Sequence, residues 1–172
     1  MHVVRPVVVF GIAASCVLLA LACGGTDSPV SGGRTADSGA RGIEPAGQTC
    51  TAAAQCYPAI DAGSIVGEVT CLTKVTNGYC THACMADTEC CATPGECLSG
   101  VKEVCSPLEN QGAQYCFLSC EDDDVRRALA ANSDAGVTAD GGTDAYCRTF
   151  AGAATSCRSS GGGSKNRKIC LP

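Results

Sequence analysis

The amino-acid sequence predicts a small disulfide-rich fold made of short β-hairpins and loops, with one short helix near 123–131 and no large hydrophobic core. Three observations carry that prediction. Of 172 residues, 16 are Cys, a share that marks a cross-linked scaffold. Trp is absent and aromatic residues make up only 4%. Much of the hydrophobic fraction is Ala, Cys and an apolar N-terminal run, so burial at roughly 25 cal/mol per Å² does not easily offset the entropy of ordering the chain. Bridges at roughly 2–4 kcal/mol each make up the difference. Finally, the Cys residues between 71 and 120 recur in order: Cys71, Tyr79-Cys80-x3-Cys84, Cys90-Cys91, Cys97, Cys105, then Tyr115-Cys116-x3-Cys120. The stretch looks like a duplicated module.

Taken from the start, residues 1–22 read as a secretory signal. Arg5 supplies the positive charge, and Val7 to Ala22 is an apolar run of 16 residues, shorter than the roughly 20 a spanning helix needs. The run ends Ala20-Leu21-Ala22-Cys23 and turns to Gly24-Gly25-Thr26-Asp27-Ser28-Pro29. This resembles the lipobox of bacterial lipoproteins, although Ala20 stands where that family prefers Leu. The resemblance implies that Cys23 carries the lipid. Ala20-Leu21-Ala22 equally fits the A-x-A site of ordinary signal peptidase, which would release a soluble chain. Parity favours the lipid: Cys16 leaves with the leader, so Cys23 and 14 other Cys remain, and alkylating Cys23 leaves an even set.

Residues 23–49 read as a flexible, lipid-anchored tether. Gly24 to Thr49 contains seven Gly and only Val30 and Ile43 as sizeable aliphatics, too little to order itself. As a random coil it spans about 28 Å.

The disulfide-rich domain is expected over 50–172, with repeat-like modules at 71–97, 105–120 and 146–170. Cys50 and Cys56 open it. β-Branched residues are dense from Ile65 to Thr76, and Asn77-Gly78 follows. That dipeptide favours the tight type I′ hairpin turn, so Val75-Thr76 is expected to face Tyr79-Cys80, with Cys71 and Cys80 on or near adjacent strands. Cys90 and Cys91 project differently from an extended backbone and should bond to separate partners. Val101 to Val104 suits a short strand. Four acids at Glu121 to Asp124 precede Val125 to Ala131, a good helix start with Val125 and Leu129 stacked at i, i+4. Residues 132–144 look like an exposed, mobile insertion. Asp144 suits the cap of a brief helix through Phe150. Cys170 ties down the C-terminal end. The Cys residues expected in bridges are Cys50, Cys56, Cys71, Cys80, Cys84, Cys90, Cys91, Cys97, Cys105, Cys116, Cys120, Cys147, Cys157 and Cys170.

Several chemistries fit poorly. No Cys-x-x-Cys redox motif occurs. A zinc or cluster site needs reduced thiolates, which an exported chain does not keep. After the leader the only His is His82, lodged between Cys80 and Cys84 and read as a surface residue without a nucleophile beside it. Asp122, Asp123, Asp124, Asp134, Asp140 and Asp144 match no EF-hand spacing and read as a solvated acidic face. The basic tail Lys165, Arg167 and Lys168 reads as solvated too. Without the leader, 11 basic residues face 17 acidic ones, which argues against nucleic acid.

In layout, with leader, Cys23, low-complexity tether, recurrent Tyr-Cys-x3-Cys and the acid-then-Cys turn Asp87 to Cys90, the chain resembles the cysteine-rich surface lipoproteins of Gram-negative bacteria. That resemblance implies export and a lipid anchor in the cell envelope. Gly24 replaces the Asp that retains such proteins at the inner membrane, which points to the outer membrane. The expected role is a non-enzymatic binding or structural module without a cofactor, held to the membrane by lipid, with a protein or polysaccharide ligand that the residues do not identify. The alternative is a secreted protease inhibitor, or another soluble extracellular binding protein. An inhibitor would present 133–143 as bait.

Overall fold

Strands form where Cys alternates with β-branched, aromatic and small polar residues, and they pair as three antiparallel hairpins. β1 (Val69–Cys71) pairs with β2 (Cys80–His82), β3 (Glu103–Pro107) with β4 (Gln114–Leu118), and β5 (Ser156–Ser159) with β6 (Lys168–Leu171). Two helices, α1 (Asp122–Ala131) and α2 (Gly142–Phe150), lie between the second and third hairpins. The computed structural model describes residues 44–109, 112–137, 141–161 and 163–172, which belong to one unit covering 37–172. The leader, Cys23 and tether positions 23–43 lie outside the described residues. Among the described residues no helix is long and apolar enough to cross a membrane.

Each hairpin sets two Cys directly opposite one another: Cys71 and Cys80, Cys105 and Cys116, Cys157 and Cys170. No such pair is bonded to itself. Opposed residues project from the same face of a hairpin, and that face receives the chain segment preceding it. The bridges are therefore Cys50–Cys71 with Cys56–Cys80, Cys84–Cys105 with Cys90–Cys116, and Cys120–Cys157 with Cys147–Cys170. These define three cells, 50–80, 84–116 and 120–170, with one connectivity: first Cys to third, second to fourth. In the first two cells the opening Cys lie six residues apart and the next follows 15 later. The third cell accommodates both helices in the corresponding stretch.

Seen this way, Cys-x3-Cys is a seam. Cys80 and Cys116 each close one cell, and Cys84 and Cys120 open the next. The spans 71–97, 105–120 and 146–170 read as modules are therefore each crossed by bridges leaving them, because the partner of a strand Cys lies upstream of its hairpin. The seams repeat in backbone detail. Ala83 bridges Tyr115 and Ser119 bridges Ile169, while Cys84 N–H donates to Gln114 O at 3.1 Å and Cys120 N–H to Lys168 O at 3.0 Å. The last six residues read as tether, 44–49, take the same place in the first cell. Gly47 N–H donates to Cys80 O and Cys80 N–H to Gln48 O, both at 2.9 Å, and Cys50 N–H donates to Asn77 O at 3.2 Å. Glu44 and Ala46 are fully buried, so this stretch is a strap of the fold.

Asn77 and Gly78 both have positive φ, 65° and 71°, as their dipeptide favours. They do not close a two-residue hairpin. Leu72 N–H reaches Tyr79 O at 2.9 Å, so Leu72 faces Tyr79, and two successive turns fill the loop. Gly78 is required for another reason: a Cβ there would collide with the Cys50 carbonyl, where the entering chain crosses the loop.

α1 forms as expected. Its acidic first turn complements the helix dipole, and Val125 and Ala128 are buried against Leu118, Tyr146 and Phe150. Asn132 ends it, its side chain donating to Ala128 O at 2.8 Å and Ser99 O at 2.7 Å. α2 is a second helix with Tyr146, Cys147 and Phe150 buried. Asp144 does not cap it; its carboxylate accepts from Cys157 N–H at 2.8 Å and ties α2 to β5. Of the expected insertion 132–144, residues 133–135 form a 3₁₀ turn and 142–144 belong to α2. Val101 precedes its strand, which begins at Glu103. Among the described residues the apolar interior is divided into four small clusters, one of them made of Cys84, Cys90, Cys105 and Cys116 alone.

Candidate functional site

The one departure from the repeated connectivity lies at the adjacent pair Cys90-Cys91. A 3₁₀ turn over Asp87–Glu89 delivers Cys90 in an extended conformation, and Cys91 follows in the left-handed region at φ 65°. The two side chains diverge, as neighbouring residues of opposite backbone hand must. Cys90 joins Cys116 inside its cell, whereas Cys91 joins Cys97, six residues on. A turn at Thr93-Pro94-Gly95 closes this small loop, with Glu96 N–H donating to Thr93 O at 3.0 Å.

Glu96 points inward from the loop and is fully buried. Its Oε1 accepts from Cys91 N–H at 2.9 Å and lies 2.7 Å from His82 Nε2; its Oε2 accepts from Thr93 N–H at 2.8 Å. Burial pushes this carboxyl upward, but His82 and the two backbone donors outweigh it and hold Glu96 below the ordinary carboxylate range. His82 is fully buried, which corrects the expectation of a surface residue. Its Nδ1 lies 3.2 Å from Ala83 O and its ring meets Tyr57 edge-on at 5.9 Å. Period-two alternation gives its direction: His82 follows Cys80 by two, so it shares the bridged face of the hairpin, and all three residues of β2 are buried.

The same alternation places Glu103 on the face of Cys105. Glu103 opens β3 with 1% exposure. One of its oxygens lies within 4.8 Å of both Cys91 Sγ and Cys97 Sγ, and its carboxyl is equally close to His82 and Cys116 Sγ. The carboxyl is thus wedged between the two bridges that leave Cys90 and Cys91. Among the described residues no backbone N–H and no Ser, Thr or Tyr hydroxyl bonds either oxygen. Its neighbour is Glu44 from the strap, whose Oε2 accepts from Leu98 N–H at 3.0 Å while Oε1 lacks a protein donor. Burial first, then repulsion from Glu96, raises Glu44 from 4.5 to about 7, against the opposing bonds from Leu98 and Glu103. Burial, then Glu44 and Glu96, pushes Glu103 well above the usual range. Two carboxyls this close do not both ionise readily, which favours one proton shared between them. Tyr57, Tyr79 and Tyr146 surround the cluster with phenols whose ionisation burial also opposes.

The donor set does not suit a cation. Among the described residues, each group of three or more potential ligands draws on bridged Cys. With those sulfurs committed to disulfides, the richest group retains His82 and Glu103 alone.

The aspartates do not converge. Asp123 pairs with Arg126, Asp124 accepts from Ser119 Oγ at 2.7 Å and from Arg127 at 3.1 Å, Asp144 bonds Cys157, and Asp140 lies outside the described residues. In the basic tail, Arg167 pairs with Asp87 at 3.2 Å, and Lys168 N–H donates to Glu121. All 14 Cys expected in bridges are in them. The sequence reading did not single out Glu44, Glu96 or Glu103; the signal available was a Glu two residues before a strand Cys. Comparison with protein-family models, curated proteins and solved structures finds no match.

Proposed function

We propose that this chain is a non-enzymatic, lipid-anchored module of the cell envelope, held at Cys23 in the outer membrane of a Gram-negative bacterium and serving binding or structure. The observation that carries this reading is the complete mutual pairing of the 14 Cys from Cys50 onward. That even set suits an oxidising compartment and leaves Cys23 to the lipid that its neighbours Leu21-Ala22 and Gly24 suggest. The first cell offers a binding surface: an open cleft of about 820 Å³ lined by Thr49, Thr51, Gln55, Thr73, Thr76 and Asn77 among others. Hydroxyl and amide groups there suit a polar chain such as a polysaccharide or an extended peptide.

The inhibitor alternative has less support, since a bait loop is extended, whereas 133–135 is wound in a 3₁₀ turn and Gly142 opens α2. Replacing Cys23 by Ser and labelling cells with radioactive palmitate tests the anchor. Label and membrane fractionation are both lost if the reading holds; retention of both in Cys23→Ser rejects it.

A further inference from the structure

The Cys91–Cys97 bridge stands apart from the scaffold that the other six build. It joins no hairpin strand, and it spans six residues where the others span 21 to 37. It is the one bridge in which neither Cys is buried; each of the others has at least one buried partner. Cys91 also holds a left-handed backbone conformation that few residues other than Gly adopt. On its inner side the bridge faces Glu103, with an oxygen within 4.8 Å of both sulfurs. Among the described residues no backbone N–H and no Ser, Thr or Tyr hydroxyl donates to that carboxyl.

Thiol–disulfide exchange depends on access to a sulfur and on how readily the departing sulfur leaves. A bridge between two partly exposed Cys with a carboxyl behind it meets both conditions. We propose that Cys91–Cys97 is a thiol-exchange site opened by a dithiol, at which the Glu103 carboxyl gives its proton to the departing sulfur. A thiolate of the dithiol attacks one sulfur, the Cys91–Cys97 bond breaks, and a mixed disulfide forms. The released sulfur takes the Glu103 proton. The second thiol of the donor then attacks the mixed disulfide, freeing the other Cys, and its proton restores Glu103. The second Cys leaves as a thiolate and takes from water the proton that the donor's first thiol released on ionising, so the bridge ends as two thiols and the donor as a cyclic disulfide.

The groups facing Glu103 support its part. Glu44 from the strap and Glu96 from the loop are both acidic, His82 on β2 is engaged with Glu96, and Tyr57 and Tyr79 stay protonated. Burial and the two acids keep Glu103 protonated where an exposed Glu has ionised. This site needs only the oxidised fold, and stands whether or not the lipid anchor does.

The test uses the oxidised full-length protein with limiting dithiothreitol, quenched with N-ethylmaleimide and mapped by peptide mass. Cys91 and Cys97 should be labelled first, about tenfold or more ahead of any other pair, with six bridges intact. Opening of a buried bridge first, or loss of all seven together, overturns the site. With the rate corrected for thiolate, Glu103→Gln should slow the opening by about a hundredfold or more, the usual scale of a general-acid contribution. If that variant does not fold, the wild-type pH profile decides: the corrected rate should fall as pH rises and Glu103 ionises. An unchanged rate in a folded Glu103→Gln, or a flat wild-type profile, removes Glu103 from the mechanism.

Discussion

Glu96 Oε1 lies 2.7 Å from His82 Nε2 with both side chains fully buried, and this contact pins the Cys91–Cys97 loop to the end of β2. Removing Glu96 leaves His82 Nε2 and the Cys91 and Thr93 N–H groups without their acceptor, each typically at about 1–3 kcal/mol. Glu96→Ala should therefore lower stability by about 3 kcal/mol or more, read from urea unfolding of the oxidised protein. A loss below about 1 kcal/mol, the range of an exposed pair, would show that the contact is not made in solution.

The Glu44 and Glu103 carboxyls should make stability fall as pH rises. Both are raised above the ordinary value in the folded chain, so between that value and the folded one the native state binds more protons than the unfolded state. The stabilising proton is fully present below pH 4.5 and is lost as pH climbs through about 7. At 1.36 kcal/mol per pKa unit, Glu44 alone contributes about 3 kcal/mol to this decline. Glu96 has the opposite sign, and its contribution is lost only as pH falls below the ordinary carboxylate range. Unfolding free energies measured at pH 5 and pH 8 should differ in the wild type, and the difference should shrink in Glu103→Gln. An equal slope in both proteins would contradict the shared proton.

Bridge deletions should rank by loop length. The chain-entropy relation gives about 2.4 kcal/mol for the short loop closed by Cys91–Cys97 and about 3.5 kcal/mol for Cys90–Cys116. The double variant Cys91→Ala with Cys97→Ala should melt above Cys90→Ala with Cys116→Ala. Thermal unfolding of the two checks the order, and the reverse order would mean that the small loop carries more of the fold than its length allows.

Gly78→Ala should destabilise strongly. The residue has φ 71° and its missing Cβ leaves room for the Cys50 carbonyl. A positive-φ penalty of about 1 kcal/mol and a backbone collision act together, so a loss above about 2 kcal/mol is expected. Gly95→Ala is the control, since open space surrounds that position. Equal losses in the two variants would remove the role assigned to the strap crossing.

Much of the fold was legible in the residues because it is local. Four acids before an Ala-rich run begin α1, positive φ at Asn77-Gly78 follows from the dipeptide, and divergence at Cys90-Cys91 follows from chain geometry. The candidate site was far less legible. Glu44, Glu96 and Glu103 come from a strap, a loop and a strand, and nothing in the residues next to each says that the three share one interior. His82 illustrates the same limit, since a lone His between two Cys looks exposed until its strand is placed.

The sequence by itself determined that sulfur would hold this protein together, because so few large apolar side chains cannot. Only the tertiary structure decided which Cys meets which: a hairpin Cys bonds to whatever segment lies on its face, and that segment was delivered by the preceding turn of the chain. The same stacking buried Glu103 beside the bridges with Glu44 next to it, where burial pushes both carboxyls toward their protonated form.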